Sequence, residues 1–136
     1  MNLLLFTVVA LICGLATAAE PVEVANNGEV RVTIELDEIV QAGEEGDGRH
    51  AKVAFHYKLP VKTDSGVTYD RLETLYSIYC DERIFVKYKL AAYDASKGET
   101  AVRVWTGASR ADYTVPDPLS LDGAVVRVAC AVRRPR

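Results

Sequence analysis

The chain has few of the residue types that catalytic and metal sites use: its 136 residues include three cysteines, two histidines and one tryptophan. His50 and His56 have no carboxylate implied beside them, so ordinary surface histidines are favoured over a metal pair. No serine occupies the G-x-S-x-G setting of a hydrolase nucleophile. The sequence therefore predicts no catalytic residue, no metal site and no cofactor.

Basic residues are also not in excess, because the formal net charge is −3. A net-acidic chain without a dense basic face is not an obvious nucleic-acid binder. The charge is nevertheless polarised. Residues 20–48 hold nine acidic residues against the single base Arg31, whereas residues 49–136 hold ten acidic and fifteen basic residues.

The longest apolar run, from Leu3 to Leu15, is shorter than the roughly 20 residues that span a membrane. Small residues follow it at positions 16–19, which is typical of a signal peptide cleaved before Ala19 or Glu20. This is favoured over an uncleaved anchor and over a lipoprotein modified at Cys13. We predict a signal peptide at residues 1–19 and a single exported domain at residues 20–136, with no stable membrane insertion after cleavage.

Cleavage leaves only two cysteines, Cys80 and Cys130, in a protein expected to meet oxidising conditions. A structural disulfide is favoured over a metal or redox pair, since no histidines lie near these cysteines in the sequence. A loop of that length gains about 4 kcal/mol from chain entropy when it is closed. The bond would therefore supply a large share of the stability of a small domain, roughly 5–15 kcal/mol.

Strand patterns occupy most of the exported region. Asn27-Gly28 separates two alternating apolar runs, which predicts a hairpin. A further alternating run ends at Pro60, where we expect the strand to end or an edge to begin. A turn near Asp81-Glu82 predicts a second hairpin with Cys80 at the end of its first strand, and we expect Lys87 and Lys89 in it to point to solvent.

The C-terminal segment carries mixed signals. Asp117-Pro118 suits an N-cap and first turn, and apolar residues follow at helical spacing from Leu121 to Val132. Gly123 and the β-branched pair Val125-Val126 favour a strand instead. We expect a short helix docked on one face of an antiparallel sheet, which makes an α+β fold with one disulfide.

A group of spaced residues resembles the surface-adhesin protein E-like family of exported bacterial domains. The residues that carry the resemblance are Val53-Ala54-Phe55, Tyr69, Tyr79-Cys80, Arg83, Trp105, Pro116, Ser120 and Cys130. The resemblance covers about residues 28–131. Asp70-Arg71 departs from the family's serine and basic residue, and the spacing from Trp105 to Pro116 is looser. The resemblance implies a sheet and C-terminal helix linked by a disulfide, a periplasmic or surface location and, in some members, adhesion to host matrix proteins.

Seven tyrosines are many for this length, and they are either sheet residues or part of a partner surface. We name as partner-binding residues Tyr69, Tyr76, Tyr88, Arg133 and Arg134, although a solvated chain end is favoured for the two arginines. Glu44, Glu45 and Asp47 lack EF-hand spacing, so we expect a solvated loop there.

We therefore expect a non-enzymatic exported domain that binds a protein partner, as yet unidentified, in the periplasm or at the cell surface. The alternative is a periplasmic immunity protein or enzyme inhibitor. A third hypothesis is an envelope hydrolase that uses Asp81 and Glu82.

Overall fold

The computed structural model describes residues 20–42 and 47–132. The predicted signal peptide, Cys13, Glu44, Glu45, Arg133 and Arg134 lie outside the described residues. The elements in chain order are β1 (Val22–Asn26), β2 (Val30–Ile34), β3 (Val40–Gln41), β4 (Gly48–Lys62), β5 (Thr68–Tyr79), β6 (Ile84–Tyr93), β7 (Arg103–Thr106) and α1 (Leu121–Ala131).

The strands form one antiparallel sheet in the order β1-β2-β4-β5-β6-β7, with β3 paired to β4. The helix α1 packs on one face, so the predicted α+β fold is confirmed. The core between them is apolar. It comprises Val32, Ile34, Ile39, Ala51, Val53, Phe55, Tyr76, Ile78, Phe85, Val125, Val126 and Ala129.

The predicted Asn27-Gly28 hairpin joins β1 to β2. Gly28 adopts a φ of 87°, a left-handed conformation that glycine takes at little cost. The Asn27 side chain accepts hydrogen bonds from the backbone N–H groups of Glu29 and Val30. The strand β4 continues through Pro60 to Lys62, so the predicted strand end is wrong. Its pairing with β2 stops at Tyr57, which agrees with the other predicted outcome, an edge. Its pairing with β5 is interrupted between His56 and Val61, so Pro60 lies where no ladder hydrogen bond is needed.

The C-terminal helix is confirmed, but it begins later than predicted. Ser120 is the N-cap, and its hydroxyl accepts from the Gly123 N–H at 3.0 Å. Asp117 instead forms a turn before the helix, where its side chain accepts from the Leu119 N–H. The turn crosses the helix so closely that a Cβ at Gly123 would lie 2.2 Å from the Asp117 carbonyl oxygen. Gly123 is therefore explained by close backbone packing and not by a strand.

The predicted disulfide joins Cys80, directly after β5, to Cys130 in α1, with a Cα–Cα distance of 5.6 Å. Arg49 makes a second tie at the same end of the helix. Its guanidinium donates to the carbonyl oxygens of Ala129 and Val132, which the last turn leaves without helical partners. Both links hold the C-terminal half of α1 against β4 and β5.

The pairing of β5 with β6 corrects the prediction that Lys87 points to solvent. A register shift between Leu75 and Tyr76 places Lys87 opposite Tyr76, on the helix side of the sheet. Lys87 lies 3.0 Å from an Asp122 carboxylate oxygen instead of pointing to solvent. A β-bulge inserts one residue and so exchanges the faces of the residues beyond it, which the alternation in sequence does not reveal.

Candidate binding surface on the open face of the sheet

The face opposite α1 is polar, and we call it the open face. Successive residues of a strand point to opposite sides of the sheet. In β2, β4, β5 and β6, the residues that alternate with the core residues therefore lie on the open face. They are Arg31, Thr33, His50, Lys52, Ala54, His56, Arg71, Glu73, Leu75, Ser77, Val86, Lys89, Ala91 and Tyr93.

A cationic row crosses this face near one end of the strands. Cross-strand pairing aligns Arg31 with His56, His56 with Arg71, and Arg71 with Tyr93. The Arg71 guanidinium lies 4.4 Å from the centre of the Tyr93 ring, a cation–π contact. His56 Nε2 is 3.1 Å from Thr33 Oγ1. Burial, and then the positive charges of Arg31 and Arg71, lower the pKa of His56, which favours the neutral ring.

Acidic side chains accompany this row, so the open face carries both signs of charge. Glu73 lies 3.6 Å from Arg71, and Lys52 lies 3.9 Å from Glu35 and 4.0 Å from Glu38. The hydrogen bond with Glu38, followed by burial, raises the pKa of Glu35. These groups line an open groove that could make many polar contacts to a partner surface.

A second region of the open face is aromatic, and we call it the tyrosine cavity. Its floor is the cross-strand pair Ser77 and Val86, and its volume is about 660 Å³. Two ring pairs flank the floor. His50 and Tyr88 have ring centres 5.3 Å apart, as do Tyr79 and Tyr113. Since Tyr79 follows Ser77 in β5 and Tyr88 follows Val86 in antiparallel β6, the two pairs lie at opposite ends of the cavity.

The segment from Gly107 to Thr114 forms one wall of the cavity. Phe85 and Thr114 exchange two backbone hydrogen bonds of 3.0 Å, and the Gly107 N–H donates to the Tyr88 carbonyl oxygen. The Tyr113 hydroxyl donates to Ser77 Oγ at 2.7 Å. Burial, and secondarily the nearby Tyr113, raise the pKa of Tyr88. The wall is thus fixed to the sheet on both sides of Tyr113.

Carboxylates gather at the β5–β6 turn beside the cavity. Glu82 lines the cavity, and the Asp81 backbone N–H donates to an Asp47 carboxylate oxygen. The negative charge of Asp47 is the main cause that raises the pKa of Asp81, and Glu82 adds to it. This end of the open face therefore holds three carboxylates, with the exposed Arg83 next to Glu82 in the turn.

The structure separates the tyrosines that the sequence named as partner-binding residues. Tyr88 lines the cavity. Tyr69 lies near the other end of β5 in an edge-to-face contact with Tyr57, eight positions and about 26 Å along the strand from Ser77. Tyr76 is 0% exposed, so its assignment to a partner surface is wrong. Its ring packs in the core under α1 because Tyr76 pairs with Ala51 and shares the core-facing side of β5 with Thr74 and Ile78.

Sequence reasoning missed the cationic row as well as the role of Tyr79 and Tyr113. Arg31 and Arg71 are 40 positions apart, and only strand pairing aligns them through His56. Tyr113 lies outside any strand, so its position depends on the bridge between Phe85 and Thr114. Alternation had indicated that His56 faces away from the core, but it gave no neighbours for it.

No three histidine, cysteine, aspartate or glutamate residues in segments 20–42 and 47–132 are arranged to hold a metal ion. Within the same segments, no helix combines the length and apolar character needed to cross a membrane.

Comparison with known proteins identifies the family. The model of the family described as surface-adhesin protein E matches residues 20–131, which is most of the chain. No curated protein and no solved structure matches the sequence. With its antiparallel sheet, C-terminal helix and Cys80–Cys130 bond, the chain belongs to the surface-adhesin protein E family.

Proposed function

We propose that this protein is a non-enzymatic, exported, adhesin-like domain that binds a protein partner in the periplasm or at the cell surface. Family membership supports the adhesin-like role and the exported location. The match begins at residue 20, where the predicted mature chain starts. The alternative of an immunity protein or inhibitor gains no support from the family match.

The observation that carries the proposal is the composition of the open face. It presents accessible tyrosines and arginines, the residue types that dominate binding energy at protein interfaces. Tyr79 is 40% exposed at the tyrosine cavity, and Arg31 is exposed in the cationic row on the same side of the sheet. The opposite face is occupied by α1, so the open face is the larger part of the sheet that remains for a partner.

The test is a binding measurement on mature protein, produced by export of the full chain so that the disulfide forms. Purified envelope proteins and host-matrix proteins are presented in turn, and affinities are measured by surface plasmon resonance. We expect Arg31→Ser and Tyr79→Ser each to weaken binding of the true partner at least tenfold. A tenfold loss corresponds to about 1.4 kcal/mol, and interface hot spots lose about 2 kcal/mol or more when truncated.

The matched control is Arg127→Ser, which removes the same charge from the exposed side of α1. It should bind as the unchanged protein does. The proposal fails if no candidate protein binds, or if Arg127→Ser weakens binding while the two open-face variants do not.

A further inference from the structure

We propose that the tyrosine cavity receives a basic side chain, lysine or arginine, of the protein partner. The inference rests on the proposed function and specifies the chemistry of one contact within it. Aromatic faces attract cations through the negative charge above each ring, and cavities built from several rings recognise ammonium groups.

The composition of the cavity supports a cation over an anion or an apolar group. Three tyrosines and one histidine surround the floor, and the charged side chain that lines the cavity in the described part of the chain is Glu82. Lys52 and Lys89 belong to the next row of the open face, opposite Leu75. A positive group entering the cavity would therefore meet aromatic rings and a carboxylate.

Polar groups in the cavity suit the end of a basic side chain. Ser77 Oγ accepts a hydrogen bond from the Tyr113 hydroxyl. A second lone pair of Ser77 Oγ remains available at the floor of the cavity. The tyrosine hydroxyl oxygens can accept further N–H donors in the same way. Ile84 and Val86 contact the aliphatic stem of a long side chain, which tends to lie along apolar surface while its charged end finds polar partners.

The acidic residues of the β5–β6 turn strengthen the preference. Asp47 and Asp81 lie so close that their charges repel, and Glu82 is next in sequence. Their combined field extends over the neighbouring cavity and would steer a cation towards it. Lys52, Lys89 and the cationic row lie further along the strands, and the exposed Arg83 of the turn is not among the residues that line the cavity.

The experiment is an NMR titration of mature exported protein with Nα-acetyl-lysine methylamide. The neutral control is the same compound acetylated on its ε-nitrogen, which keeps the stem and removes the charge. We expect saturable amide shifts confined to residues around Ser77, Val86 and Tyr113, with at least fivefold weaker binding of the neutral compound. Equal binding of both compounds, or no saturable shift, would overturn the proposal.

Variants separate the cavity from the rest of the open face. Tyr88→Leu and Glu82→Gln, the latter at an exposed position, should each weaken binding of the cationic compound at least threefold. Tyr69→Leu, which lies outside the cavity, should not change that binding. Glu82→Gln keeps the test valid if Tyr88→Leu does not fold. If the cationic compound binds and no protein partner does, the cavity assignment stands and the proposed function fails. If a partner binds equally to Tyr88→Leu and Glu82→Gln, the function stands and the cavity assignment fails.

Discussion

The Tyr76 hydroxyl donates a 2.7 Å hydrogen bond to Asp122 Oδ1, which joins the centre of β5 to the first turn of α1. Lys87 lies 3.0 Å from the same carboxylate oxygen and 5.7 Å from the centre of the Tyr76 ring. Burial, and then the charge of Asp122, raise the pKa of Tyr76 well above its usual range. The hydroxyl is therefore a permanent donor, and α1 is fixed to the sheet at both ends.

Tyr76→Phe tests the tie at the N-terminal end of the helix. The variant removes the donor and leaves a carboxylate that is only partly exposed, so we expect a loss of about 1–3 kcal/mol in the free energy of unfolding. Urea denaturation measures it. Tyr79→Phe, on a 40% exposed ring, is the control and should change that free energy by less than about 0.5 kcal/mol. Equal effects of the two changes would refute a special role for the bond to Asp122.

Replacing both disulfide cysteines tests the tie at the other end. Cys80→Ala with Cys130→Ala should lower the free energy of unfolding by about 2–5 kcal/mol, because the unfolded chain gains conformational freedom. Amide exchange should quicken most in the last turns of α1. A reductant should destabilise the unchanged protein to a similar extent and leave the double variant unaffected. An unchanged melting temperature in the double variant would show that the bond does not contribute to stability.

Gly123→Ala should destabilise the protein, although replacing a helical glycine by alanine usually stabilises. Alanine in place of a helical glycine normally stabilises by about 1 kcal/mol. Here the new Cβ would lie 2.2 Å from the Asp117 carbonyl oxygen, so the turn before the helix must move. We expect a net loss of about 1–3 kcal/mol by thermal or urea unfolding. Ala131→Gly, at an exposed helical position, should cost only the propensity difference, and a stabilising Gly123→Ala would contradict the close approach.

The lowered pKa of His56 should make the free energy of unfolding depend on pH. Its pKa is lowered from 6.5 by burial and by Arg31 and Arg71, so the unfolded chain takes up a proton before the folded one does. The free energy of unfolding should therefore fall as pH decreases from about 6.5 and level off below the lowered pKa of the folded state. Unfolding curves between pH 7.5 and pH 4.5, roughly the range in which such a histidine titrates, measure this fall. His56→Gln should flatten it, and an identical slope in the variant would assign the fall to other groups.

The local sequence predicted those elements whose signals lie within a few residues. The hairpin at Asn27-Gly28 follows from a glycine that takes positive φ between alternating strands. The helix from Leu121 to Ala131 follows from apolar spacing of about 3.6 residues. The predicted start of the helix, at Asp117-Pro118, is wrong because Ser120 is an equally suitable N-cap. The choice between them depends on the backbone turn that packs against Gly123.

The candidate surface could not be predicted to the same extent, because its residues meet only across strands. The sequence marks Tyr88 as an aromatic residue of a hairpin, but its neighbours His50 and Tyr113 lie 38 and 25 positions away in sequence, so local patterns do not reveal them. Tyr76 is misassigned because its residue type outweighed its position. It shares the core-facing side of β5 with Thr74 and Ile78, and the bulge lies in β6.

The sequence by itself determined the α+β class and the pairing of Cys80 with Cys130, because only two cysteines follow the apolar leader. It favoured a helix near the C-terminus, and the structure decided that point. Alternation, helical spacing and cysteine count are properties of single segments. The tertiary structure decided which face carries the cationic row, where the tyrosine cavity lies, and that Tyr76 belongs to the core. Strand register, one bulge and the bridge from Phe85 to Thr114 fix those features, and each depends on residues distant in the chain.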